Sequence, residues 1–187
     1  MKKLNLGCGI DYREGFVNVD FHDHVKPDIV HNLNQFPYPF ADGEFEFILA
    51  SHIIEHLASP FDVMKELHRI LKVDGTLHIK VPHFSRGLTH SEHKAGFDVT
   101  FPYYFNPKFY KSGYFGVDFE LKKLRLHYFA MFHVMKQMGI SKIVIACIKP
   151  IGMFIDFFAN LSPKICSRVW CYWVGGFEEL EMIFKRK

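Results

Sequence analysis

The stretch from residue 45 to residue 81 constrains the fold most. Residues 45–50, Phe45-Glu46-Phe47-Ile48-Leu49-Ala50, have the length and apolar composition of a buried strand. Residues 61–71 then place apolar side chains at Val63, Met64, Leu67, Ile70 and Leu71, which is helical spacing. Pro60 precedes them, where a missing N–H costs a helix nothing. Asp74-Gly75 turns the chain, and Leu77-His78-Ile79-Lys80-Val81 supplies another strand. Strand, helix and strand at this spacing predict a parallel α/β sheet. Shorter strand-like runs at 3–6, 16–19 and 28–30 come before it, and runs at 118–127 and 179–185 come after.

A length of 187 residues suits a single domain, at roughly 100–200 residues per domain. The expected division is a half at 1–84 followed by a lid, an insertion and closing strands at 85–187. A hydrophobic content of 49% excludes a disordered chain. The net charge of +3 hides a split, because residues 1–121 carry net −4 and residues 122–187 carry net +7. Cys8, Cys147, Cys166 and Cys171 form no CxxC pair and read as reduced thiols. The N-terminus lacks the apolar stretch of a signal peptide, so a cytoplasmic location is expected. The most apolar tract, 143–158, is broken by Lys149, Pro150 and Asp156, so it is expected to lie on a membrane rather than cross one.

The first strand runs straight into Leu6-Gly7-Cys8-Gly9, where glycines let the backbone turn tightly and approach a ligand. The full GxGxxG pattern fails at Tyr12, so a phosphate cradle is poorly supported. Eleven residues after Gly9, the second strand ends in Val19-Asp20, which puts a carboxylate beside the glycine loop for two ribose hydroxyls. In the same order follow Asn32-Leu33-Asn34-Gln35-Phe36-Pro37, Ser51-His52-Ile53-Ile54-Glu55-His56-Leu57 and Glu66-Leu67-His68-Arg69-Ile70-Leu71-Lys72 with Asp74-Gly75. Together these stretches resemble the class I S-adenosylmethionine-dependent methyltransferases, in their small type 11-like branch. The resemblance covers about residues 3–84, and Trp173 to Phe184 is similar to the family's closing region.

The resemblance implies a Rossmann-like α/β fold: a mostly parallel sheet, an antiparallel closing strand, and an aromatic helical or loop insertion. Only Ile10 to Phe16 separate the glycine loop from the second strand, so the first helix must be truncated to a turn or two. S-adenosyl-L-methionine is the implied cofactor. Gly7 and Gly9 would lie against its methionine part, Asp20 would bind its ribose, and Asn32 and Leu33 would flank the adenine, with Leu6, Cys8 and Ser51 also in the cofactor set. Many relatives have Asp where Asn32 stands; its amide oxygen can still meet the adenine amino group.

His52-Ile53-Ile54-Glu55-His56 also spells H-x-x-E-H, an inverted zinc-peptidase motif. Such a site needs the motif on a helix and a third ligand, whereas here it follows a strand directly, so no metal is assigned. His52, at a strand's carboxyl end, is a catalytic candidate. His83, His90 and His93 follow the fifth strand on a loop expected to face the acceptor, and any of them could serve as a base near its usual pKa of about 6.5.

Residues 97–115 are crowded with aromatic rings and are expected to pack as a lid that also lines an acceptor pocket. Residues 128–173 are apolar and carry Lys136, Lys142, Lys149, Lys164 and Arg168 against only Asp156. That pattern suits a peripheral membrane surface at the inner face of a membrane, or equally a homodimer face. Nucleic acid is disfavoured because the charge is spread among aliphatic side chains. The expected activity is in-line methyl transfer to an oxygen or nitrogen of a small-molecule, sugar or lipid-linked glycan acceptor. The alternative is a non-catalytic S-adenosylmethionine-binding module with a basic aromatic partner surface.

Overall fold

In β5 (Leu71–Pro82), apolar and polar residues alternate through Leu77, His78, Ile79, Lys80 and Val81, so one face of the strand is apolar and the other charged. A computed structural model describes residues 1–87, 91–109 and 116–187 and shows β5 and its neighbours toward one edge dividing this way. Six other strands join β5: β1 (Lys3–Leu6), β2 (Val17–Asp20), β3 (Ile29–Val30), β4 (Phe45–Ser51), β6 (Phe119–His127) and β7 (Glu179–Arg186). Their spatial order is β3-β2-β1-β4-β5-β7-β6, parallel from β3 to β5, with β7 antiparallel to both β5 and β6. This is the mostly parallel Rossmann-like sheet with an antiparallel closing strand. The chain leaves β1 toward β2 on one side and later fills β4 and β5 on the other. The sheet's crevice therefore opens beyond the carboxyl ends of β1 and β4.

Leu77, Ile79 and Val81 share the apolar face with Leu180, Met182 and Phe184 of β7, all fully buried. Helix α1 (Pro60–Ile70) contributes Val63, Met64, Leu67 and Ile70 to that core. Glu66 on the same helix accepts the Tyr38 backbone N–H at 2.7 Å and pairs with Arg69, whose guanidinium also donates to the carbonyls of Tyr38 and Phe40. The loop between β3 and β4 is thereby clamped to the helix.

The described rings of the aromatic segment extend the core. Phe97 meets Phe101 at a 4.8 Å centroid separation, Phe101 meets Phe105 at 5.2 Å, and Phe105 meets Phe119 of β6 at 6.2 Å. Phe97, Phe101 and Phe105 are buried because these contacts enclose them, so they act as core rather than as an exposed lid. Tyr110, Tyr114 and Phe115 lie outside the described residues.

Cross-strand ion pairs occupy the charged face, which stays partly open to solvent. His78 meets Glu181 at 2.9 Å, Lys80 meets Glu179 at 3.3 Å, and Lys123 of β6 meets Glu181 at 3.6 Å. The shortened crossover between β1 and β2 has a comparable substitute. Residues 7–16 form turns rather than a helix. The fully buried Asn18 accepts the Arg13 N–H at 2.9 Å and the Asn5 amide at 3.0 Å, and donates to the Arg13 carbonyl at 3.0 Å. Asn5 also donates to the Asp11 carbonyl, and Asp28 accepts the Asn18 backbone N–H at 2.7 Å. Two side-chain amides thus satisfy backbone groups that a longer crossover would satisfy as a helix.

Helices α2 (Phe84–Gly87), α3 (Phe132–Gln137), α4 (Lys142–Leu161) and α5 (Pro163–Arg168) complete the chain. Helix α4 runs unbroken past Lys149, Pro150 and Asp156, 20 residues in all, and is long and apolar enough to cross a membrane by length and composition.

Candidate active site

A cavity of about 460 Å³ opens at the crevice, walled by Gly7 after β1, Asp20 and Phe21 at the end of β2, and Asn32, Leu33 and Asn34 after β3. His22, also after β2, Ile53, His56 and Leu57 after β4, and Glu92 complete the lining. Four of the sequence-derived cofactor residues, Gly7, Asp20, Asn32 and Leu33, therefore meet at one place. The other four do not reach the wall. Leu6 is fully buried in the core, Cys8 is buried behind the loop with its thiol pushed up to about 11 by burial, and Gly9 and Ser51 sit beside the cavity without lining it.

The glycine loop is shaped by its contacts. Gly7 has φ +66°, and a Cβ there would lie 2.4 Å from Ile53 Cγ1, so only glycine lets Ile53 close over it. Gly9 has φ +49° and faces open space, and its backbone N–H donates to Asp20 Oδ2 at 2.8 Å. The other carboxylate oxygen accepts the His22 N–H at 2.9 Å. Two backbone donors thus fix the Asp20 carboxylate at the cavity edge. Asn32 Oδ1, expected to face an adenine amino group, accepts the Asn34 N–H at 3.0 Å, and Asn34 in turn accepts the Ala58 N–H. Phe21 was not singled out in the sequence, although it directly follows the acidic residue that ends β2 and its exposed ring stands on the cavity wall.

The histidines part company. His52 has φ +53°, and its Nε2 donates to Glu179 on β7 at 2.8 Å while Nδ1 faces Glu55 at 3.4 Å. Burial opposes its charge, but the hydrogen bonds to Glu179 and Glu55 outweigh burial and hold its pKa up at about 9. The two carboxylates thus favour the charged form of His52. His83 is fully buried between the hydroxyls of Ser85 (2.7 Å) and Ser167 (2.9 Å), and burial lowers its pKa to about 4. It is a neutral packing residue, away from the cavity. His90 lies outside the described residues.

His93 is brought to the site. Its ring meets that of His56 edge-on at 5.0 Å. The Lys94 N–H donates to the Glu55 carbonyl at 2.8 Å, and His56 Nδ1 lies 3.3 Å from the Glu92 carbonyl, so the 92–94 segment is strapped onto the turn at Ile54–His56. Ligand atoms of Glu55, His56 and His93 lie within 4.8 Å of one another. The H-x-x-E-H reading fails on geometry: its two histidines do not converge, because His52 turns to β7 while His56 turns to His93.

This site can be set beside known proteins. Residues 4–79 match a family model described as a methyltransferase domain. Over that first part of the chain, the likeness is to a methyltransferase domain. Solved structures share the fold of this chain at low identity. A putative sarcosine dimethylglycine methyltransferase from Galdieria sulphuraria is 15% identical with a TM-score of 0.61, over 98% of this chain and 77% of that one. A SAM-dependent methyltransferase from Archaeoglobus fulgidus is 15% identical with a TM-score of 0.59, over 99% and 86%. The YcgJ protein from Bacillus subtilis is 13% identical with a TM-score of 0.58, over 100% and 92%. No curated protein sequence matches the chain.

The residues of the cavity fit S-adenosylmethionine, the cofactor that the resemblance implies. The Asp20 carboxylate is aimed by two backbone amides and keeps lone pairs for a ribose diol, and Gly9 leaves open space where a side chain would intrude. Phe21 and Leu33 offer apolar surface for an adenine between them and the Asn32 amide.

Proposed function

We propose that this protein is an S-adenosylmethionine-dependent methyltransferase that moves the methyl group in line to an oxygen or nitrogen of a small-molecule, sugar or lipid-linked glycan acceptor. The supporting observation is that one cavity is lined by Gly7, Asp20 and His56 together, and that the His56 ring meets that of His93. Its volume, about 460 Å³, lies within the range of small-ligand sites.

S-adenosylmethionine, when bound, supplies a methyl already activated on a positive sulfur. Asp20 holds the ribose through its hydroxyls, and Gly7 with Ile53 closes the floor of the loop. His56 lines the cavity and takes the proton that the acceptor O–H or N–H must lose, with His93 at its edge to pass it outward. His52 acts as a positioning residue: its bond to Glu179 pins the end of β4 to β7 and so fixes the segment that carries Ile53 and His56. Positioning supplies much of the effect, because the methyl donor needs little further activation.

Turnover with methyl-labelled cofactor against a panel of sugar, amine and lipid-linked acceptors tests this reading. His56→Ala should lower kcat roughly 10²-fold or more while cofactor affinity holds, in line with general-base contributions. Cofactor binding without turnover on any acceptor class would favour the non-catalytic module instead.

A further inference from the structure

Helix α4 is apolar on two sides. At about 100° per residue, Ile145, Gly152 and Ala159 share the buried side, Ile143, Phe154, Phe157, Phe158 and Leu161 share the outward one, and Asp156 and Asn160 lie at the edge of the buried side. These two polar residues bond to the protein. Asn160 accepts the Leu126 N–H at 2.9 Å and donates to the Leu126 carbonyl at 2.8 Å, covering backbone groups on β6, the edge strand. Asp156 accepts the Tyr128 N–H at 2.6 Å and pairs with His127 at 3.4 Å. The outward apolar side is open: Ile143 is 77% exposed, Leu161 69% and Phe154 66%, and only 17% of the helix's apolar window is buried. A soluble helix pays for such exposure, so this face calls for a cover.

The charges around it identify the cover. Lys142 and Lys149 fall on the same stripe as Asp156 and Asn160, along one edge of the outward apolar side, and are exposed, so that their long stems can lie along apolar surface while the ammonium groups reach past it. Asp156, the one acid between residues 128 and 173, is committed inward to β6. A second copy of the same face would bring lysines against lysines with no exposed acid to receive them. An anionic lipid surface would neutralise them and take up the phenylalanines. Trp173 and Tyr172, strongly exposed shortly after α5, are side chains suited to the headgroup layer. Spanning is disfavoured because the inward bonds of Asp156 and Asn160 tie the helix along its length to a sheet edge.

We propose that α4 is a membrane-surface helix that docks the protein on an anionic bilayer through Ile143, Phe154, Phe157, Phe158 and Leu161, with Lys142 and Lys149 meeting headgroups. The proposal stands apart from the catalytic reading, since none of these residues lines the cofactor cavity. Cys147 provides a native probe: it is the exposed cysteine, on the outward side of α4, and the other three are buried.

The experiment is co-sedimentation of the full chain with phosphatidylcholine vesicles and with phosphatidylcholine–phosphatidylglycerol vesicles, at low and high salt. A polarity-sensitive fluorophore on Cys147 is read in parallel. The expected result is salt-sensitive binding to the anionic vesicles with a blue shift of the fluorophore. The triple variant Phe154→Ser/Phe157→Ser/Leu161→Ser should bind at least about tenfold more weakly, since each ring or branched chain contributes on its own. Because these side chains are exposed, the variant should fold and bind S-adenosylmethionine as the parent does. No binding to anionic vesicles at low salt, equal binding by the triple variant, a vesicle-free dimer that shields Cys147, or retention in membranes after alkaline extraction would each overturn the proposal.

Discussion

Gly7→Ala combined with Ile53→Ala tests how the glycine loop is built. At Gly7 the new Cβ would sit 2.4 Å from Ile53 Cγ1 and 2.7 Å from Ile53 Cβ, inside any tolerated contact. Overpacking of this kind typically costs about 1–3 kcal/mol. The backbone at φ +66° adds roughly 1–2 kcal/mol for a residue with a Cβ. The single variant should therefore lose roughly 2–5 kcal/mol, a large part of a typical domain's stability. Ile53→Ala removes the clashing atoms but not the backbone strain. In the double variant the Gly7 substitution should cost only its strain, so the coupling between the sites should be about 1–3 kcal/mol. Urea unfolding of the parent, both single variants and the double variant measures that coupling directly. Gly9→Ala is the internal control, because its Cβ would meet open space and only backbone strain applies. A coupling below about 0.5 kcal/mol, or equal costs at Gly7 and Gly9, would refute the reasoning.

Other perturbations follow from the same contacts. Asn18→Leu should destabilise by about 2–4 kcal/mol, because it strips partners from several buried backbone groups of the 7–16 turn at once; a loss under about 0.5 kcal/mol in urea unfolding would show the network to be incidental. Glu66→Gln should loosen the 38–42 loop through its broken pair with Arg69, read as faster amide exchange at Tyr38 and Phe40, with unchanged exchange counting against the clamp. The buried histidines give opposite pH dependences. His83, held down at about 4, contributes stability that is complete above its unfolded value near 6.5 and is lost as pH falls toward 4. His52, held up at about 9, contributes stability that is complete below about 6.5 and is lost as pH rises through 9. Unfolding midpoints of the parent and of His83→Gln across this range should differ in slope on the acid side; identical slopes would reject the assignment.

Much of the fold was legible in the chain, since periodicity placed the strands and the helix after Pro60. The alternation of Leu77, His78, Ile79, Lys80 and Val81 also held more information than a strand assignment. Strands covered on both sides tend to read as continuous apolar runs, so alternation in a parallel sheet announces a face closed by ion pairs. The absent first helix was legible as a short spacing, but its replacement by Asn5 and Asn18 was not, because a buried amide network depends on which backbone groups converge. At the site, Gly7, Asp20, Asn32 and Leu33 followed from motif order. His56 did not stand out from other histidines, because its place depends on the 92–94 segment folding back onto Glu55. His52 drew attention for its position at a strand end, but that this position put it between the carboxylates of Glu55 and Glu179 could not be read from the sequence. The aromatic segment read as a lid because ring density marks burial without saying what the rings are buried against. The apolar tract of α4 could be read from the sequence, but the inward turn of its polar side needed the edge of β6.

The central claim is that the crevice between β1 and β4 binds S-adenosylmethionine through Asp20. Calorimetric titration of the parent protein and of Asp20→Ala with this cofactor tests it most directly. Saturable one-to-one binding that weakens at least about tenfold in the variant is expected, because two charge-assisted hydrogen bonds to the ribose are lost. Absence of binding by the parent, or equal affinity in Asp20→Ala, would contradict the account.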